Sequence, residues 1–471
     1  MKIYKNLLNN TFIFAIGDLS TKGITLLLVP IFSFYLTKSE FGSLDLIQTS
    51  ILLIIPVLSL SAAEAVLRFT FEFSPKKVFT NGLTVILLGL LLTNFITFLI
   101  YLTTSFEAKI LFLISLLVCV MILQNLLLQF SRGLKKNFVF AVSSIISSVS
   151  LLLFIFVFIF YSEFSLEKYL LSAILSNFTS IIFIYYSLKI NKYIDFNEFD
   201  HKFIKELLKY SCPMIPNSII WWVINGSSRF LILYFLGPSA NGVYAVSSKI
   251  PGLINIFNSI FFKAWQIVSI EDLSSNSKDE DMTKKKVFIY FRVFLLMMIT
   301  ILILFIDNIF KIFINITFFE AVNYVPILLF SIYFSSCSSF LGTNYIVNKK
   351  TGNLFKSTIW SAVINIFLNV ILIPYVGLYG VAISSMISFF YMYISRIIDL
   401  HKNFFYYVNS KVIIHVILVT ITYFNFLYTS PYYLLNKFVI FIVLVLLNTK
   451  LIYKIFRILL SFVLKKTRWM V

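Results

Sequence analysis

Leu83–Leu102 and Val142–Tyr161 each run for twenty residues without one charged side chain. Such a run leaves no polar face for water, and its length suits a helix that crosses about 30 Å of hydrocarbon while satisfying its own backbone. A membrane barrel would alternate polar and apolar residues over segments of about 10, and these runs do not alternate. The rest of the chain agrees. Of its 471 residues 59% are apolar and only 13% are charged, against about 25% charged in soluble domains. The expected fold is an all-α integral membrane protein.

Several chemistries lack their parts. Cys119, Cys212 and Cys337 lie far apart in apolar stretches without C-x-x-C spacing, and His201, His401 and His415 form no H-x-x-x-H pair. Neither a disulfide framework nor a metal site is indicated. A glycine-rich phosphate loop and a G-x-S-x-G elbow are also missing, so no cofactor and no enzyme activity are expected. Lys2 and Lys5 precede an apolar run as in a leader peptide. Thr11–Leu36, however, exceeds a leader's apolar core of about 7–15 residues and contains Asp18 and Lys22. It reads as the first spanning helix.

At about 20–27 residues per span the chain offers fourteen candidates, at roughly 11–36, 44–67, 81–102, 110–130, 138–161, 168–188, 209–236, 243–268, 287–307, 325–347, 356–374, 377–398, 412–429 and 435–456. Alternating the loops between two faces puts thirty of the 39 Lys and Arg on the face of both termini. Only Lys38, Lys109, Lys168, Lys311 and Lys437 fall on the other. Short cytoplasmic loops collect positive residues, so both termini are expected in the cytoplasm. The net charge of +19 is then a topology signal facing anionic membrane lipids, and no nucleic acid is expected. The long polar cytoplasmic segments, Lys189–Glu206 and Ile270–Lys286, are too small for a catalytic domain. The expected organisation is an N-terminal lobe at 1–190 (spans one to six), a cytoplasmic linker at 191–208, a C-terminal lobe at 209–400 (spans seven to twelve), and at 401–471 two additional spans with a basic cytoplasmic tail.

The chain also repeats itself. Leu36, Ser39 and Gly42 in the turn between spans one and two recur as Leu236, Ser239 and Gly242 between spans seven and eight. Six spans separate the copies, so the second set would enter the membrane in the same direction as the first. A parallel repeat of this kind predicts two six-helix lobes facing each other across a central cavity.

An ionisable residue deep in a span costs about 2.5–3.5 kcal/mol on insertion scales and faces a cavity or a partner. On span seven Ser218, Trp222, Asn225 and Arg229 are spaced i, i+4, i+7 and i+11, a polar stripe ending in a guanidinium. Arginine grips phosphate with a planar two-pronged donor and keeps its charge. The plainer alternative pairs Arg229 with a carboxylate on another span. On span eight Lys249 and Lys263 fall within about 40° of one face, with Lys263 near the inner end where it can snorkel. On span one Asp18 and Lys22 stand four apart and can pair. Glu64, near the inner end of span two, has Arg68 four residues on as its default partner, and Asp307 and Asp399 sit at span ends. Deep in the spans Lys22, Arg229 and Lys249 outnumber Asp18, which points to an anionic passenger. A pyrophosphate needs cationic walls to cross hydrocarbon, and lipid tails do not.

Leu207–Trp222, LLKYSCPMIPNSIIWW, continuing through Asn225 and Arg229, resembles the seventh-helix signature of Wzx-type polysaccharide flippases. So does Ala240–Pro251, ANGVYAVSSKIP, with a weaker likeness over spans one to twelve that includes Gly377–Ala382. The resemblance implies the fold of the multidrug/oligosaccharidyl-lipid/polysaccharide exporter superfamily, with twelve core helices in two lobes plus two more. It also implies flipping of undecaprenyl-pyrophosphate-linked glycan units across a bacterial inner membrane by ion-coupled alternating access. Many members carry an acidic residue immediately before the span-seven arginine. This chain has Ser228 there, which would leave Arg229 freer to meet substrate.

The resulting expectation is a flippase serving surface polysaccharide such as O-antigen or capsule. Arg229, Lys249 and Lys22, together with Asn225, Trp222 and Lys263, would hold the lipid-linked anionic glycan. Asp18 or Glu64 would take the coupling H+ or Na+, and a polysaccharide polymerase and a chain-length regulator are candidate partners. Two rivals stand beside it. An ion-coupled multidrug exporter on the same fold would favour carboxylates for cationic drugs, and a membrane glycan polymerase or ligase would need a large outer loop carrying catalytic residues.

Overall fold

A computed structural model describes residues 21–104, 107–161, 163–272, 280–347, 351–400, 409–428 and 433–449; Asp18 lies outside them. Among the described residues the regular structure is entirely helical. In chain order the helices are α1 (Thr21–Tyr35), α2 (Lys38–Leu58), α3 (Ala62–Phe69), α4 (Pro75–Thr103), α5 (Ala108–Gly133), α6 (Asn137–Tyr161), α7 (Leu166–Leu188) and α8 (His201–Ser211). Then come α9 (214–236), α10 (238–272), α11 (Glu280–Phe313), α12 (Val325–Val347), α13 (Thr351–Val376), α14 (Leu378–Asp399), α15 (Ser410–Leu427) and α16 (Tyr433–Thr449).

Eleven segments are long and apolar enough to cross a membrane, and α1 and α16 are shorter apolar helices. One of the eleven, Gly226–Ser259, doubles back at Gly237 into α9 and α10, so the described residues hold fourteen apolar helical segments when the two shorter ones are included. Gly237 has φ +83° and ψ 178°, a conformation essentially reserved for glycine, and Pro238 then opens α10 at the position where its missing N–H costs nothing. The surface is apolar where lipid would lie: Leu87, Leu88, Leu91, Leu92 and Phe95 on α4 are all exposed.

Local chemistry sets the remaining boundaries. A capping box starts α2, with Thr37 accepting from the Glu40 backbone and the Glu40 carboxylate receiving the Thr37 N–H. Ser74 caps α4, whose first residue is Pro75, and Asp200 caps α8. The second span is not continuous. It breaks between α2 and α3, where Ser61 N–H bonds Pro56 O and Leu60 N–H bonds Val57 O. This is a Schellman ending with Leu60 (φ 51°) in the left-handed position that glycine usually takes.

The repeated turns meet each other. A Cβ placed on Gly42 would lie 2.0 Å from Pro238 O, and one on Gly242 would lie 2.0 Å from Lys38 O. The contact is reciprocal at the same offset of 200 that relates the two sequences, and only glycine allows the backbones of α2 and α10 so close. Asn241 adds a side-chain N–H to Gly42 O at 2.8 Å.

Ion pairs join loops that the alternation places on a common face. Lys76 pairs with Asp195 and Lys77 with Asp200 at one end, and Lys38 with Glu320 and Lys109 with Glu167 at the other. Asp195 and Asp200 are held below the usual carboxylate range, first by the lysine hydrogen bonds and then by backbone N–H groups. Two cations counted with the loops belong inside. Arg396 is buried and donates to Ser338 O, Ser357 Oγ and Thr358 Oγ1, tying α12, α13 and α14 together. Arg292 on α11 donates to the Tyr333 hydroxyl at 3.0 Å. The last pair, α15 and α16, docks on α11. Lys437 and the Tyr433 hydroxyl both reach Asp307, and His415 meets Asn448.

Candidate functional site

A cavity of about 800 Å³ lies between helices from both halves of the chain. Its walls come from α1 (Lys22, Thr25), α2 (Thr49, Leu52), α9 (Ser218, Trp222, Arg229), α10 (Tyr244, Lys249, Asn255), α12 (Ser331) and α14 (Ser385). Ligand pockets commonly measure about 300–1,000 Å³. The three charged residues among its described wall residues, Lys22, Arg229 and Lys249, are all cationic.

Each cation has a stated anchor. The Lys22 ammonium donates to Ser259 Oγ at 2.8 Å, linking α1 to α10. Arg229 lies with its guanidinium 5.8 Å from the centre of the Tyr244 ring, a cation–π arrangement. Its Nε donates to Asp45 Oδ2 at 2.5 Å, and Lys249 Nζ stands 3.5 Å from Asp45 Oδ1. The Asp45 side chain is 4% exposed, while Arg229 and Lys249 keep 17% and 26%. The carboxylate therefore sits behind the wall and the cations on it. Trp222 is fixed by its indole N–H, which donates to Thr49 O at 2.7 Å, and Gly226 makes room for that approach.

The structure thus brings Lys22, Trp222, Arg229 and Lys249 to one cavity, with Ser218 on the same wall. Asp18 and the side chains of Asn225 and Lys263 lie outside the description. Two expectations need correction. Arg229 is not left freer by Ser228, because Asp45 on α2 supplies a carboxylate in place of a neighbouring acid. Ser228 instead joins a buried neutral network, accepting from Asn369 Nδ2 at 2.9 Å and donating to Asn365 Oδ1 at 3.3 Å. Glu64 does not take its default partner either. It accepts from Gln129, while Arg68 pairs with Glu72 at 2.6 Å. Glu64 borders a second cavity of about 420 Å³ with Arg68, Arg132 and Lys135, away from the central one.

Asp45 is the residue that sequence reasoning missed. It stands three residues beyond Gly42 at the start of the second span, where a lone acid looks like an interfacial charge. Its signal was the need of two intramembrane cations for a counter-charge.

The chain matches the family described as "Polysaccharide biosynthesis protein" over residues 7–266. No curated protein sequence matches it. Among solved structures it is similar to "Lipid II flippase MurJ, inward closed conformation" at 16% identity, covering 95% of this chain and 99% of that one, with a TM-score of 0.70. It is also similar to an inward-facing multidrug resistance MATE family transporter of the MOP superfamily (14% identity, 82% and 99% covered, TM-score 0.60). The MATE multidrug transporter DinF-BH is a third (16% identity, 85% and 96% covered, TM-score 0.61). At such identities the likeness is one of fold.

Proposed function

Since the chain belongs to the polysaccharide biosynthesis protein family, we propose that it flips undecaprenyl-pyrophosphate-linked oligosaccharide units from the cytoplasmic to the outer leaflet of a bacterial inner membrane. The observation that carries the reading is the central cavity's wall, on which Lys22, Arg229 and Lys249 converge from three spans. An anion entering hydrocarbon loses its hydration, and a cavity with cationic donors replaces part of it. In this reading Arg229 offers two-pronged hydrogen bonds to one phosphate, and Lys249 and Lys22 act as point charges for the rest. Trp222, locked on Thr49, gives the sugar end an aromatic surface. Lys263 and Asn225 are proposed members of the same wall.

Alternating access exposes the cavity first to one leaflet and then to the other. Coupling to H+ or Na+ would bias that exchange, since one charge moved through 100 mV is worth about 2.3 kcal/mol. Asp18 is the proposed acidic group for it, with Glu64 a further candidate at the second cavity. The thirty positive residues on the face of the termini support a cytoplasmic placement of both ends. A polysaccharide polymerase and chain-length regulator are proposed downstream partners, and the product would be a surface glycan of the O-antigen or capsule kind. A drug exporter shares the fold, but a wall of three cations disfavours cationic drugs.

The test is the fate of radiolabelled sugar in cells lacking the protein. Lipid-pyrophosphate-linked single units should accumulate on the cytoplasmic leaflet and clear when the intact protein is restored, but not with Arg229→Ala. Full-length surface glycan in the deletion strain, with no substituting flippase, would remove the proposal.

A further inference from the structure

Asp45, behind the cavity wall, holds two of the cations that a passenger's anion would meet. Its buried carboxylate holds the two wall cations Arg229 and Lys249 at 2.5 and 3.5 Å, and a phosphate would offer the same donors an oxygen of the same kind with more charge. The helix that carries Asp45 also carries one side of the glycine seam. Gly42 lies three residues nearer the Lys38 end, about 4.5 Å along the axis at 1.5 Å per residue. Both positions fall in the unbroken stretch of α2 between its capping box and Leu58. Across the seam, Gly242 and Lys249 share α10, and Arg229 lies on α9 just before the Gly237 bend. Helix α2 therefore cannot part from α9 and α10 at the seam without drawing Asp45 away from both cations.

We propose that Asp45 is an internal stand-in for the passenger's anion. Paired with Arg229 and Lys249 it latches the Gly42–Gly242 seam shut, and a phosphate that takes over those two cations releases the latch and lets the seam part. This deepens, and rests on, the flippase reading of the same cavity. It assigns to Asp45 a positioning role and makes opening conditional on cargo. A lipid with the same tail and no anion leaves the pair intact, so an empty or wrongly loaded cavity stays closed at the seam.

The test uses a protein with Cys119, Cys212 and Cys337 replaced by alanine and a single reporter, N241C, at a seam position that is fully buried. In nanodiscs, labelling by a membrane-impermeant maleimide should be slow, at least tenfold faster when D45N is added, and slow again with D45E. Geranylgeranyl pyrophosphate should accelerate labelling of the N241C protein at least tenfold, and geranylgeraniol should not. Unchanged labelling in D45N overturns the latch whatever the lipid does. Geranylgeranyl pyrophosphate that binds in a fluorescence titration without opening the seam also overturns it, while leaving the anion site standing. If that lipid does not bind at all, the flippase reading is what fails, and the D45N comparison still decides the latch. Should D45N not yield a folded protein, K249Q weakens the same pair from the other side and carries the same expectation.

Discussion

Substituting alanine at Gly42 adds one methyl group at a position where backbone meets backbone. The new carbon would lie 2.0 Å from Pro238 O and 2.8 Å from Gly242 N, whereas ordinary contacts begin near 3.4 Å. No side chain can swing aside, so α2 and α10 must separate by more than an ångström. Overpacking of this kind costs about 1–3 kcal/mol, and a rigid backbone collision belongs at the upper end. The helix propensity gained from alanine is common to the closed and open forms and cancels from their ratio. About 3 kcal/mol against the closed seam is about a 150-fold change in the ratio of closed to open protein. Gly42→Ala should therefore raise maleimide labelling of N241C by about that factor. Gly242→Ala should match it, because its Cβ would meet Lys38 O at the same 2.0 Å. The double variant should cost less than the sum, since one separation relieves both clashes. Gly352, with nothing within 4 Å, supplies the control and should label at the parental rate. Equal labelling of Gly42→Ala and Gly352→Ala would refute the reasoning.

Three further outcomes are expected. Arg229→Ala and Lys249→Ala should each weaken geranylgeranyl pyrophosphate binding about 10- to 100-fold by titration, since a hydrogen bond to a charged group contributes about 1.5–3 kcal/mol; Arg229→Lys should recover only part. Arg396→Leu leaves Ser338 O, Ser357 and Thr358 without their buried donor and should cost about 3 kcal/mol, read as a clear fall in melting temperature, with equal melting as the contrary result. The Asp195 and Asp200 pairs lower those carboxyls, so their contribution is present above the ordinary value of 3.8 and is lost as pH falls through the lowered values. Amide exchange of residues 190–200, corrected for the intrinsic pH dependence of exchange, should be flat above about pH 4 and faster below it, and Lys76→Ala with Lys77→Ala should weaken that dependence, leaving the part due to the backbone N–H groups.

The spans and much of the cavity were legible in the sequence because lipid leaves little ambiguity. Runs near twenty residues without charge become spanning helices, and the i, i+4, i+11 spacing of Ser218, Trp222 and Arg229 does put them on one wall. The short repeat around Gly42 and Gly242 was legible as a pattern, but its reciprocal contact was not, because sequence offset says nothing of which surfaces meet. Asp45 was hidden by its place beside a turn. Arg396 was hidden by its place at a span end, where an arginine normally reaches water. The break after Leu58 could not be read either, since the left-handed residue is Leu60 and carries none of the glycine signal that such endings usually show.

Translocation itself is tested most directly in proteoliposomes holding the purified protein and a fluorescent oligosaccharide on an undecaprenyl pyrophosphate anchor, with quenching of the outer leaflet by a membrane-impermeant reductant. The quenched fraction should climb from about half to nearly all of the probe in vesicles with the intact protein, remain at about half with Arg229→Ala, and remain there for a probe without the pyrophosphate. Equal quenching in vesicles with and without the protein, at matched reconstitution, or equal transfer of the uncharged probe, would contradict a flippase that works through its cationic wall.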